Sequence, residues 1–212
     1  MSTLVSPPVA TTAQDDTSRT ILRWLPLAGA VYAVLQIAGN LVIDAFPDEN
    51  TPLGKLTSYY AGHHSQIARG GHLLEISAVF IALFGVALAV RVGRSNLVAA
   101  VTIVIAAATA CLADAYEGAT FQFLGEHGNS SSLSPQALQA WHVSAASFGT
   151  IVPTLLLVIG LVLGGRTLPA WLVWSAVVLV VAQFTPVGFL ASLVMLLWFL
   201  VAGIALTVKP AR

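Results

Sequence analysis

The chain has 212 residues, 57% of them hydrophobic and only 8% charged, with nine basic and nine acidic side chains and no formal net charge. Soluble domains carry roughly a quarter charged residues, so this composition, with a mean hydropathy of +0.86, points to lipid rather than water as the main solvent. Balanced charge with no run of Lys or Arg leaves nucleic-acid binding without an electrostatic basis, and the lone Cys111 excludes an intrachain disulfide.

In lipid every backbone polar group must be satisfied within a helix or a closed barrel. Period-two alternation of the barrel kind is absent. The expected fold class is therefore all-α, a polytopic membrane helix bundle.

The first twenty residues, MSTLVSPPVATTAQDDTSRT, are rich in Ser, Thr and Pro and carry acids where a signal peptide would be basic. They read as a disordered cytoplasmic tail, residues 1–20, ahead of a transmembrane domain over 21–208. About 20 apolar residues cross ~30 Å of hydrocarbon, and six segments qualify: 24–43, 70–91, 97–118, 142–164, 168–184 and 187–208. The last two are separated by TPVG at 185–188, a Pro/Gly turn that folds them into a hairpin.

With the N-terminus inside, Arg19, Arg23, Arg91, Arg94, Arg166, Lys209 and Arg212 fall on the cytoplasmic side, and only Lys55 and Arg69 fall outside. That bias predicts both termini in the cytoplasm, N-in and C-in. Trp24, Trp171 and Trp174 sit near cytoplasmic span ends, where aromatic anchors are expected. In the first outer loop, residues 44–69, Thr51 is placed to cap a helix with Pro52 at its first position. Leu53, Leu56, Tyr60 and Ile67 would give that helix an apolar face lying on the outer leaflet. Asn129-Ser130-Ser131 in the second outer loop matches a glycosylation sequon and is read as incidental in a bacterial protein.

Polar side chains gather at the outer ends of the spans. Gln36, Asn40 and Asp44 recur every fourth residue in the first span, continuing a stripe from Tyr32. His72 and Glu75 lie three apart in the second, as do Asp114 and Glu117 in the third. Residues three apart share a helix face. His142 enters the fourth span with Ala146, Gly149 and Pro153 on its face, and Gln183 ends the fifth.

A charge near the bilayer centre costs roughly 2.5–3.5 kcal/mol on insertion scales, so such groups turn inward and find partners. Gln36, Asn40, His72, Glu75, Asp114, Glu117 and His142 are accordingly the candidate ligand-binding residues, and Glu75 and Asp114 the candidate acid/base groups. Each also has a structural reading: interhelical pairing for His72, Glu75, Gln36 and Asn40, a position at the water boundary for Asp114 and Glu117, and an interfacial anchor beside Trp141 for His142.

Inward His and Glu three apart can build a metal site in a bundle, but no duplicated Glu-x-x-His is present and no metal is expected. The sequence also lacks a phosphate-binding glycine loop, a His-Glu-x-x-His and a G-x-S-x-G elbow. No particular cofactor is implied, and the oligomeric state stays open.

The segment RTLPAWLVWSAVVLVVAQFTPVGFLASLVMLLWFLVAGIAL and the closing ALAVRVGR of the second span resemble a bacterial family of six-span integral membrane proteins whose function is not known. The shared pattern is a basic residue, Leu-Pro, a Trp-Leu pair and a last span ending in Trp and Gly. The resemblance implies a six-span fold and carries no activity or site residues with it.

The expected function is a multi-pass protein of the bacterial cytoplasmic membrane whose outward-facing polar pocket takes a small molecule or lipid. The alternative is an intramembrane enzyme with a carboxyl acid/base acting on a lipid or isoprenoid. A secondary transporter fits less well, because the inner half of the bundle is apolar and no broken-helix repeat is evident.

Overall fold

A computed structural model describes residues 20–43, 46–48, 50–128, 133–146, 151–165 and 167–208. Residues 1–19 of the expected tail, Asp44, Gly149, the sequon at Asn129 and the basic residues Arg166, Lys209 and Arg212 lie outside the described residues.

Helices account for all the regular structure among the described residues: α1 (Leu27–Ile43), α2 (Leu53–Gly93), α3 (Leu97–His127), α4 (Pro135–Ala146), α5 (Ile151–Leu163), α6 (Ala170–Gln183) and α7 (Gly188–Val208). Helices α2, α3 and α7 are long and apolar enough to cross a membrane, and α1, α5 and α6 are shorter apolar helices.

Local chemistry sets the helix ends. The Asn96 side chain accepts a hydrogen bond from the Ala99 amide at 3.0 Å and starts α3. Helix α6 begins after Pro169, and residues 184–187 turn the chain into α7, with the Gly188 amide bonded to the Thr185 carbonyl at 2.9 Å. Pro52, rather than Thr51, occupies the cap of α2, while the Thr51 hydroxyl donates to the Asp48 carboxylate at 3.3 Å.

The largest departure from the sequence reading is the length of α2. A separate interfacial helix in the 44–69 loop was expected ahead of the second span; the two form one continuous helix of 41 residues. At 1.5 Å per residue that is about 60 Å, roughly twice the hydrocarbon thickness. No proline interrupts residues 53–93, so nothing in the chain ends the helix at Arg69. The expected apolar face is real, but it is covered by protein: Leu56, Tyr60 and Ile67 are buried against Phe121, Leu124 and Leu138. Helix α3 likewise runs to His127, nine residues past the expected end of the third span.

Two cores result. The larger joins α1, α2, α3, α5, α6 and α7 through Phe84, Leu88, Ile103, Leu161, Leu172, Trp198 and Phe199. The smaller joins the extensions of α2 and α3 with α4. Glycines set the spacing between α2 and its neighbours: a Cβ on Gly118 would lie 2.5 Å from the Glu75 amide nitrogen, and one on Gly70 would lie 2.8 Å from the Gly39 carbonyl. Such small-residue seams let helices approach closely.

Contacts at the other end bring alternate termini together. Gly203 of α7 packs on Pro26 and Ala30 at the start of α1, the Arg91 guanidinium donates to the Leu206 carbonyl, and the Asn96 amide donates to the Leu163 carbonyl at 3.1 Å. The beginning of α1 and the end of α7 therefore lie on the same side of the bundle.

Candidate functional site

A cavity of about 500 Å³ lies among α1, α2, α3, α5, α6 and α7. Apolar side chains make most of its wall, including Ile37, Ile81, Phe84, Leu157, Met195 and Phe199, with Ala106, Ala107 and Ala110 of α3 giving it room. Its polar groups are Tyr32, Gln36 and Asn40 from α1, Asp114 and Glu117 from α3, Thr154 from α5, Gln183 from α6 and Ser192 from α7. Asn40, Leu41, Ser192 and Leu193 are lining residues that are also exposed, so the cavity reaches the surface along the seam between α1 and α7.

Helical spacing explains the convergence. Tyr32, Gln36 and Asn40 stand on successive turns of α1 and face the Ala107, Ala110, Asp114 and Glu117 stripe of α3. Gln36 is buried, and its amide nitrogen donates to the Ser77 hydroxyl of α2 at 3.0 Å. Ser77 in turn donates to the Leu74 carbonyl at 2.6 Å. The Asn40 amide donates to the Gln36 carbonyl at 2.8 Å.

Asp114 is 2% exposed. The Tyr32 hydroxyl and the Gln36 side chain face its carboxyl. Asp114 Oδ2 is nevertheless a buried atom with no protein hydrogen-bond partner, and the same holds for Gln183 Oε1 on the same cavity. A buried acceptor without a partner costs roughly 1–3 kcal/mol, and more when charged. Native structures leave few such atoms, so two on residues lining one cavity call for an explanation.

The remaining sequence candidates lie elsewhere. His72 and Glu75 are exposed on α2, where the Gln122 amide of α3 donates to the Glu75 carboxylate at 2.5 Å. Neither residue lines the cavity. His142 is fully buried in the smaller core, stacked on Phe46 at 4.9 Å. The Tyr60 phenol, a donor in its neutral form, meets His142 Nδ1 at 3.0 Å, which leaves Nε2–H to donate to the Asp48 carbonyl at 2.8 Å. Both ring nitrogens are thus engaged in holding the 46–48 segment against α2 and α4. The seven candidates divide: Gln36, Asn40, Asp114 and Glu117 meet at one cavity, His72 and Glu75 sit on an outer face, and His142 serves a separate cluster.

Ser77 and Ser192 were not singled out from the sequence, and Gln183 was noted without being assigned to the site. For Gln183 the signal is present, a single amide closing a run of Val, Leu and Ala in α6. Ser77 has no such signal, because a serine in an apolar helix satisfies itself on the preceding turn. Among the described residues no three His, Cys, Asp or Glu side chains converge as metal ligands. Comparison with known proteins finds no family, no curated protein and no solved structure that matches the chain.

Proposed function

We propose that the chain is a six-span protein of the bacterial cytoplasmic membrane, with both termini inside, that holds an amphipathic small molecule or lipid in an outward-facing cavity. Six apolar helices, three of them long, support the span count. The shared side of the α1 start and the α7 end supports an even number of crossings. The orientation rests on the positive charges of the inner segments.

The observation that carries the ligand reading is the pair of buried, unpartnered acceptors, Asp114 Oδ2 and Gln183 Oε1, on residues that line one mostly apolar cavity. Pockets of about 300–1,000 Å³ with an apolar lining and a few convergent polar groups are the usual form of small-molecule sites. Access along the α1–α7 seam suits a molecule that arrives from the bilayer.

Ala110 lines the cavity and is partly buried, so Ala110→Phe fills space the occupant would need. Solvent extraction and mass spectrometry of the purified protein should recover an amphiphile at close to one per chain. Ala110→Phe should retain about tenfold less at unchanged expression. Equal retention by both proteins would place the molecule outside the cavity and end this reading. The acid/base alternative now rests on Asp114, whose carboxyl is on the cavity wall; it gains support only if the recovered molecule is chemically converted during incubation with wild type and not with Asp114→Asn.

A further inference from the structure

We infer that the polar end of the cavity recognises a cationic head, a protonated amine carried on an apolar body. This rests on the amphiphile reading above and adds the charge of the occupant. Among the described residues the lining contains two carboxyls, Asp114 and Glu117, and no Lys, Arg or His. Asp114 is 2% exposed with one oxygen aimed at no protein donor, and Gln183 adds a second unpartnered acceptor. The available protein donors are already committed or neutral: the Gln36 amide serves Ser77 and Asp114, and the Asn40 amide serves the Gln36 carbonyl.

A buried carboxylate without a counter-charge is strongly destabilising, and a donor-only cation satisfies both its charge and its open lone pair. An ammonium offers three donors and no acceptor, which is the complement of these acceptors. Tyr32, Phe84 and Phe199 line the same cavity, and aromatic faces favour a cation over a neutral head of equal size. Among the described lining residues an anionic head would meet two carboxyls and no cation. The ammonium belongs to a free amine or to the headgroup of an aminolipid; both present the same chemistry to Asp114.

The test uses the full-length protein in a neutral maltoside detergent and three probes sharing one body: 4-phenylbutylamine, 4-phenylbutanol and 4-phenylbutyrate. Equilibrium dialysis should show the amine bound at least about tenfold tighter than the alcohol, and the acid weakest. Asp114→Asn should bring the amine to within about threefold of the alcohol while alcohol binding persists, and Glu117→Gln should reduce the preference by a smaller factor. Should Asp114→Asn fail to fold, Glu117→Gln and the wild-type ranking of the three probes still decide.

Equal binding of amine and alcohol, tighter binding of the acid, or an amine preference that survives both substitutions would overturn the cationic head and leave the amphiphile reading standing. Failure of all three probes to bind would overturn both. Displacement of the amine by phosphatidylethanolamine but not by phosphatidylglycerol would identify the source as a lipid headgroup; no displacement by either would identify it as a free amine.

Discussion

With both ring nitrogens of His142 bonded and its ring stacked on Phe46, removing the imidazole strands the Tyr60 hydroxyl and the Asp48 carbonyl and opens a void between α2 and α4. His142→Ala should cost about 3 kcal/mol in reversible unfolding. Asp114→Asn should behave in the opposite way, because it removes a buried charge lacking full compensation; stability should be unchanged or raised while retention of the bound amphiphile falls several-fold. Glu75 is exposed, with Gln122 as its partner, so Glu75→Gln should stay within about 0.5 kcal/mol of wild type and keep the amphiphile. Thermal unfolding and extraction of the three variants side by side separate these roles. Loss of the amphiphile in Glu75→Gln would move the site to the α2–α3 outer face.

Helix α2 touches α1 and α3 through glycines whose missing side chains are filled by neighbouring backbone. At Gly118 an added Cβ would sit within 2.9 Å of the Glu75 nitrogen, Cα and Cβ, and backbone cannot give way as a flexible side chain could. Gly118→Leu should therefore force α2 and α3 apart and cost at least about 3 kcal/mol, or abolish folded protein altogether. Gly62 lies in the same helix α2 with nothing within 4 Å of its notional Cβ. There Gly62→Ala should stabilise by up to about 1 kcal/mol, through helix propensity alone. Size-exclusion profiles and melting curves of this pair test whether the seam, rather than glycine content, holds the two helices together; a Gly118→Leu protein melting like wild type would refute it.

At the scale of the whole molecule, the bundle places the start of α1 and the end of α7 side by side, with Arg91 bonded to the carbonyl of Leu206. A cation at a helix C-terminus complements its partial negative charge, so this contact ties α2 to α7. Combined with the basic residues Arg94 and Arg166 in the connections after α2 and after α5, the arrangement predicts a cytoplasmic C-terminus and an exported connection between α3 and α4. Reporter fusions after Arg212 and within residues 125–134 should give opposite signals. A C-terminal fusion active only outside the cytoplasm would reverse the orientation and turn the cavity's polar end inward.

Hydrophobic length and helical spacing are properties of the chain itself. They were enough to identify an all-helical bundle, to locate apolar helices close to those found, and to show that Gln36 and Asn40 share one face and Asp114 and Glu117 another. Spacing along one helix says nothing about which neighbour that face meets. His72 and Glu75 obey the same three-residue rule as Asp114 and Glu117, yet they turn outward. Gly71, Leu74 and Ser77 occupy the buried side of α2, where only the small residues permit close approach and Ser77 meets Gln36.

The continuity of α2 was hidden for a related reason. A partly apolar helix beside a membrane span can lie on the lipid surface or extend the span, and its local sequence is compatible with both. Tertiary packing decided between them, because the extension of α3 and helix α4 bury Leu56, Tyr60 and Ile67 more completely than a lipid surface would.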